Sequence, residues 1–139
     1  MTRLQLVTLA IVSLVALIFA ARIARRRRIA LALYWSRSCT GRDWVRAFPN
    51  STKGEIRRFL QLFVAAFALP AANILKFLPT DRVLSIYHAS SPPEGSIDVL
   101  ELETLAKHLG DAYRIDLHSI WREDLTLGDL FTSVRSAAT

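Results

Sequence analysis

The chain has 139 residues, of which 52% are hydrophobic and 22% charged, with a formal net charge of +6 and a mean hydropathy of +0.28. That length holds one ordinary domain and an appendage, and five Gly and five Pro are too few for a disordered or collagen-like chain. The single cysteine, Cys39, excludes an internal disulfide framework and a thiolate zinc cluster.

The first element is apolar. Leu4 to Ala21 is a run of 18 residues without a charge, which as a helix rises about 27 Å, close to the roughly 30 Å hydrocarbon core of a bilayer. A cleaved signal peptide carries its positive charge before the apolar run and small neutral residues after it. Here the order is reversed: Arg3 alone precedes, while Arg22, Arg25, Arg26, Arg27 and Arg28 follow. The run therefore reads as a retained single-pass anchor. Positive residues beside a span stay in the cytoplasm, so the rest of the chain is expected on the cytoplasmic side. The same arginines are expected at the membrane surface, where anionic lipid head groups attract each by about 1 kcal/mol. Ile29 to Trp35 (IALALYW) is apolar again and aromatic at its end, as a segment lying in the interface would be. Trp44 either extends that belt or belongs to a core.

Charge divides the chain in two. Residues 1–58 carry 12 basic and 2 acidic groups, residues 59–139 carry 6 and 10. The positive charge thus belongs to the anchor and its surroundings, and it gives no reason to expect a nucleic-acid partner. Ser36 to Ser51 is polar and turn-rich and reads as a linker. The expected organisation is an anchor over 1–24, a basic juxtamembrane segment and linker over 25–51, and a helical domain over 52–135.

Thr52 and Glu55 have capping-box spacing, and Ile56, Phe59, Leu60, Phe63 and Phe67 follow at helical spacing. Pro70 is expected to end or kink that helix. Phe59 to Leu75 is itself 17 uncharged residues and is open to reading as a second span, although Gln61, Pro70, Asn73 and the aromatic stripe favour a soluble core. Pro79-Thr80-Asp81 opens a short helix through Tyr87. After a Pro-rich loop, Ser96 or Asp98 caps a helix with Leu102, Leu105, Ala106, Leu109 and Tyr113 on one face. Asp124 or Thr126 caps a last helix ending near Val134. No segment alternates at period two.

The stretch Gly95-Ser-Ile-Asp-Val-Leu-Glu-Leu102 resembles the signature of the acyl carrier proteins. Tyr113-Arg-Ile-Asp-Leu117 and Asp124-Leu-Thr-Leu-Gly-Asp-Leu130 are similar to that family's segment after its second helix and the start of its last. The resemblance covers roughly 52–135 and implies an all-α chain, in which a single transmembrane helix precedes a small acyl-carrier-like four-helix bundle. By local motif it implies phosphopantetheine on Ser96. Counting back from the gap-free C-terminal part puts Val99, which has no hydroxyl, at that position, and Ser96 is then a plain helix cap.

Other chemistry is sparse. His88, His108 and His118 lack metal-ligand spacing, and there is no Gly-rich phosphate loop or nucleophile turn. Glu101 and Glu103, two residues apart, do not form a paired-carboxylate site. The expected function is a membrane-anchored, cytoplasm-facing acidic module without catalytic activity of its own, binding a basic protein partner through Glu101, Glu103 and Asp111. The alternatives are a membrane-tethered acyl carrier with its prosthetic group on Ser96, and a two-span small subunit of a membrane assembly.

Overall fold

The structure, a computed structural model, describes residues 2–90 and 100–138. Among these the chain is all-helical, and the only strand-like pairing is an isolated antiparallel bridge between Arg82 and Thr126. Ser96 and its neighbours in the loop lie outside the described residues.

Helix α1 runs without a break from Arg3 to Trp35, about 50 Å at 1.5 Å per residue. Arginine is a good helix former, so the run at 25–28 does not interrupt the backbone. The helix has two unlike parts. Its apolar window is entirely uncovered by the rest of the chain, and no other helix among the described residues is long and apolar enough to cross a membrane. Its last two turns are part of the bundle: Leu31 is buried, and Tyr34 and Trp35 pack on the core. Ile29 to Trp35 therefore continues α1, with one side on the core and Ile29 and Leu33 exposed on the other.

The stretch read as a linker also contributes to the core. Helix α2, Gly41–Ala47, carries Trp44 at 0% exposure. Its indole Nε1–H donates to the Phe77 carbonyl at 2.8 Å, and the Thr40 hydroxyl donates to the same oxygen at 2.8 Å. Thr40 N–H also donates to the Leu75 carbonyl at 2.9 Å. Phe48, beyond the helix end, stacks on Trp44.

Helix α3, Lys53–Ala66, opens with the expected box: Thr52 Oγ1 accepts from the Glu55 N–H and Glu55 Oε2 accepts from the Thr52 N–H, each at 3.1 Å. Ile56, Phe59, Leu60, Phe63 and Val64 are buried. The helix stops four residues before Pro70. Ala68 adopts a left-handed conformation with φ 52°, and the Leu69 N–H reaches back to the Val64 carbonyl at 2.9 Å, which together form a Schellman-type end. A 3₁₀ stretch, Ala71–Lys76, follows. The run 59–75 is thus broken between two short elements packed on one another, and no single helix spans it.

Helix α4, Val83–Ser90, packs along α1. Helix α5, Leu100–Tyr113, packs on α3 with Leu105 and Leu109 fully buried. A short helix α6, Leu117–Ile120, follows, with the Asp116 side chain accepting from the His118 N–H. Helix α7, Leu127–Ala137, is capped by Thr126, which exchanges hydrogen bonds with Asp129. Phe131 of α7 meets the rings of Trp44, Phe48 and Phe59. At the start of α7 the Gly128 N–H donates to the Pro79 carbonyl at 2.8 Å, and a Cβ at Gly128 would come 2.9 Å from that oxygen. Glycine permits that close approach.

A half-buried ion pair fixes the exit of α1. Arg37 makes two hydrogen bonds to Asp81, at 2.6 and 2.9 Å, and lies 4.9 Å from the Tyr34 ring centre. Asp81 also accepts from the Leu78 N–H at 2.7 Å. The hydrogen bond to Asp81 raises the Arg37 pKa above its ordinary value, and burial, reinforced by the Asp81 charge, raises that of the Tyr34 phenol.

The Phe77 carbonyl gives a test of this packing. It keeps one donor in Thr40→Val and one in Trp44→Phe, so the lost hydrogen bond should cost about 1 kcal/mol in each, with a further cavity cost in Trp44→Phe. The double variant leaves a buried carbonyl bare and should lose about 1 kcal/mol more than the sum of the two. Chemical denaturation of the four proteins measures the coupling, and strict additivity would show that the two donors do not share the oxygen.

Candidate functional site

The acidic residues singled out from the sequence do not share a face. Glu103 and Asp111 are exposed on α5, with the exposed Lys107 four residues from each on the same stripe. That lysine divides the carboxylates and lowers the net charge of the stripe. Glu101 lies on the flank of the helix and is half-buried, and its Oε2 is buried without a hydrogen-bond partner among the described residues. Tyr113 closes this helix against α3, and burial raises its pKa against the opposing effect of Arg58. Ser96, the residue implied as a phosphopantetheine attachment point, lies outside the described residues, so no geometry bears on it.

The arginines after the apolar run point in two directions. Arg22, Arg25, Arg26 and Arg28 are exposed and Arg27 is half-buried, with its Nη2 donating to the Phe67 carbonyl at 3.4 Å. Arg27 and Arg28 share a face of α1 with Ala20, Ile23 and Ala24, and that face lines a crevice against Ala68, Leu69 and Pro70.

A basic cleft is also present that the sequence did not single out. It lies between α2, the start of α3 and the 3₁₀ stretch, with a volume of about 550 Å³. Arg42 and Arg46 of α2 and Lys53 and Arg57 of α3 line it around an apolar floor that includes Ile56 and Leu75. No carboxylate among the described residues lines it. Asp43 is on the same helix but not in the lining, and the Glu55 carboxylate is engaged in the cap of α3. Each helix contributes a like-charged pair at i, i+4, which destabilises by a few tenths of a kcal/mol. Nothing in the lining offsets that repulsion. The arrangement suits an anionic group joined to an apolar one, the anion held at the rim and the apolar part on the floor.

The exposed Cys39 stands at the edge of this cleft. Among the described residues no three His, Cys, Asp or Glu side chains come together to hold a metal ion. The signal for the cleft was present as two short basic pairs, Arg42/Arg46 and Lys53/Arg57, but only the folded chain brings the two helices together. Comparison with known proteins adds no relative: no family model, curated protein or solved structure matches the chain.

All four cations are exposed, so their role is separable from folding. Arg42→Glu with Arg57→Glu should leave the unfolding free energy within about 0.5 kcal/mol per site of the parent. The same variant should elute earlier from a cation-exchange matrix than Arg114→Glu with Arg135→Glu, which changes charge equally but away from the cleft. Equal shifts would mean that the four cations do not act as a focused patch.

Proposed function

We propose that the chain is a single-pass membrane protein whose helical bundle faces the cytoplasm and works as a protein-interaction adaptor, without catalytic activity of its own. The observation that carries this reading is the continuity of α1: an uncovered apolar stretch at one end and core-packed turns at the other, in one helix. A bundle fused to the end of a span is held at a fixed height and tilt, which suits presentation of a binding surface to a neighbour. The basic residues that follow the apolar stretch favour the cytoplasmic side.

Of the surfaces available, the basic cleft is the one we favour for the partner, which would bring an acidic segment with an apolar anchor residue. A second reading places a basic partner on α5 around Glu101, Glu103 and Asp111. The buried Oε2 of Glu101, without a hydrogen-bond partner among the described residues, supports it, because such an oxygen is costly until a donor reaches it. The carrier alternative turns on Ser96. Intact mass after co-expression with a phosphopantetheinyl transferase tests it, and a gain of one phosphopantetheine that Ser96→Ala abolishes would replace the adaptor reading with the carrier one.

Location and orientation are tested first. The full chain should stay in the membrane pellet after alkaline carbonate extraction, and removal of residues 4–21 should release it. In a Cys39→Ser background, Ser136→Cys should react with an impermeant maleimide only after the cytoplasmic side is opened. Labelling from outside would overturn the orientation. The surface is tested next, by cross-linking from Cys39 in intact membranes. A cross-linked partner lost in Arg42→Glu with Arg57→Glu, but kept in Glu101→Lys with Glu103→Lys, supports the cleft, and the reverse pattern assigns the partner to α5.

A further inference from the structure

The crevice beside the end of the span has features that the adaptor reading does not use. Its volume is about 580 Å³, within the usual range for small-molecule sites. One wall is the α1 face formed by Ala20, Ile23, Ala24, Arg27 and Arg28, and the other is the turn Ala68-Leu69-Pro70. Because that turn lines the crevice together with α1, and Arg27 donates to the Phe67 carbonyl just before it, it sits beside the stretch of α1 where the apolar run ends and the arginines begin. The turn and the residues after it are unusual for a solvent-facing loop. Ala68, Pro70, Ala71 and Ala72 are exposed, and the sequence carries no charge from Phe59 to Leu75.

We infer that this crevice seats one anionic phospholipid of the surrounding membrane, with its phosphate at Arg27 and Arg28 and an acyl chain along Ala20, Ile23 and Ala24. The turn from Ala68 to Ala72 then rests in the head-group layer as a second point of contact. The inference rests on the membrane reading of α1. Charge and position select this occupant. A guanidinium offers five donors, and the bond from Arg27 to the Phe67 carbonyl draws on one nitrogen while tying the turn to the helix. The crevice is continuous with the apolar face of the span, so a lipid enters it sideways from the bilayer. Arg22, Arg25 and Arg26 lie on other faces of α1 and are absent from its lining, which gives a control of equal charge.

The test uses the full chain in mild detergent, titrated with phosphatidylglycerol or phosphatidylcholine and read by native mass spectrometry. The parent should retain one phosphatidylglycerol in preference to phosphatidylcholine, and excess inorganic phosphate should not displace it. Arg27→Gln with Arg28→Gln should weaken that preference about thirty-fold, the worth of two arginines at a membrane surface. Arg22→Gln with Arg25→Gln should leave it nearly intact. Ala24→Trp, which fills the apolar wall and keeps both arginines, should also exclude the lipid, and it stands as the test if the double glutamine variant does not fold. Equal losses in the two arginine pairs would reduce the effect to diffuse surface charge and overturn the site, as would a lipid that survives Ala24→Trp or binds without regard to head group. Release of the parent by carbonate would instead mark failure of the membrane reading itself, which the lipid titration does not measure.

Discussion

Phe77 is the residue on which the junction between span and bundle depends. It is fully buried, and its ring meets Tyr34 and Trp35 of α1 and Phe63 of α3 at centroid distances of 5.5 to 5.9 Å. Its carbonyl takes the two donors from Thr40 and Trp44. One residue thus ties α1, α2 and α3 by its two ends, one apolar and one polar. Both interactions need the other. The ring burial keeps water from the carbonyl, so the two hydrogen bonds form in a medium of low dielectric, and the bonds fix the backbone that aims the ring.

That junction changes what the anchor can do. A span joined through a flexible linker only confines its domain near the membrane. Here one face of the last turns of α1 packs on the core, and Arg37 just after it is held by Asp81, whose own orientation is set by the Leu78 N–H. Rotation or tilt of α1 would have to move the core with it. The Ala68 turn lines a crevice with Arg27 and Arg28 of α1, whereas Lys53 at the start of α3 is 13 residues before Ala66, about 20 Å along the helix. The basic cleft is therefore held at the other end of α3 from that turn.

What the sequence made legible was the short-range chemistry. Thr52 with Glu55 and Thr126 with Asp129 form their caps as local spacing demands, and the apolar faces of α3 and α5 are the buried ones. What escaped it needed contacts distant in the chain. Helix α2 is seven residues long and its preceding Thr40 does not cap it, because that hydroxyl is committed to Phe77. Nothing local announces such a helix. The end of α3 was hidden for another reason, since the left-handed position is filled by Ala68 and not by the glycine that would signal it. The basic cleft was visible only as two separate pairs, each of which reads alone as a solvated surface.

The uncharged run from Phe59 to Leu75 is where these strands of argument meet. Its length suggested a span, and its aromatic spacing suggested a core. The folded chain divides it: Phe59, Leu60, Phe63, Val64, Ala66, Phe67 and Leu69 are buried, while Ala65, Ala68, Pro70, Ala71 and Ala72 face outward. A core explains the first set and leaves the second without a reason, because a solvent-facing turn gains nothing by lacking polar groups. Apart from Gln61 the outward residues are small and apolar, and Ala68 and Pro70 line the same crevice as Arg27 and Arg28. At the lipid contact proposed for the crevice, such a surface would meet head groups and the upper acyl chains, where small apolar residues are tolerated. On that proposal, the absence of charge that imitates a membrane span follows from two neighbouring constraints, a buried helix face and a turn seated against lipid.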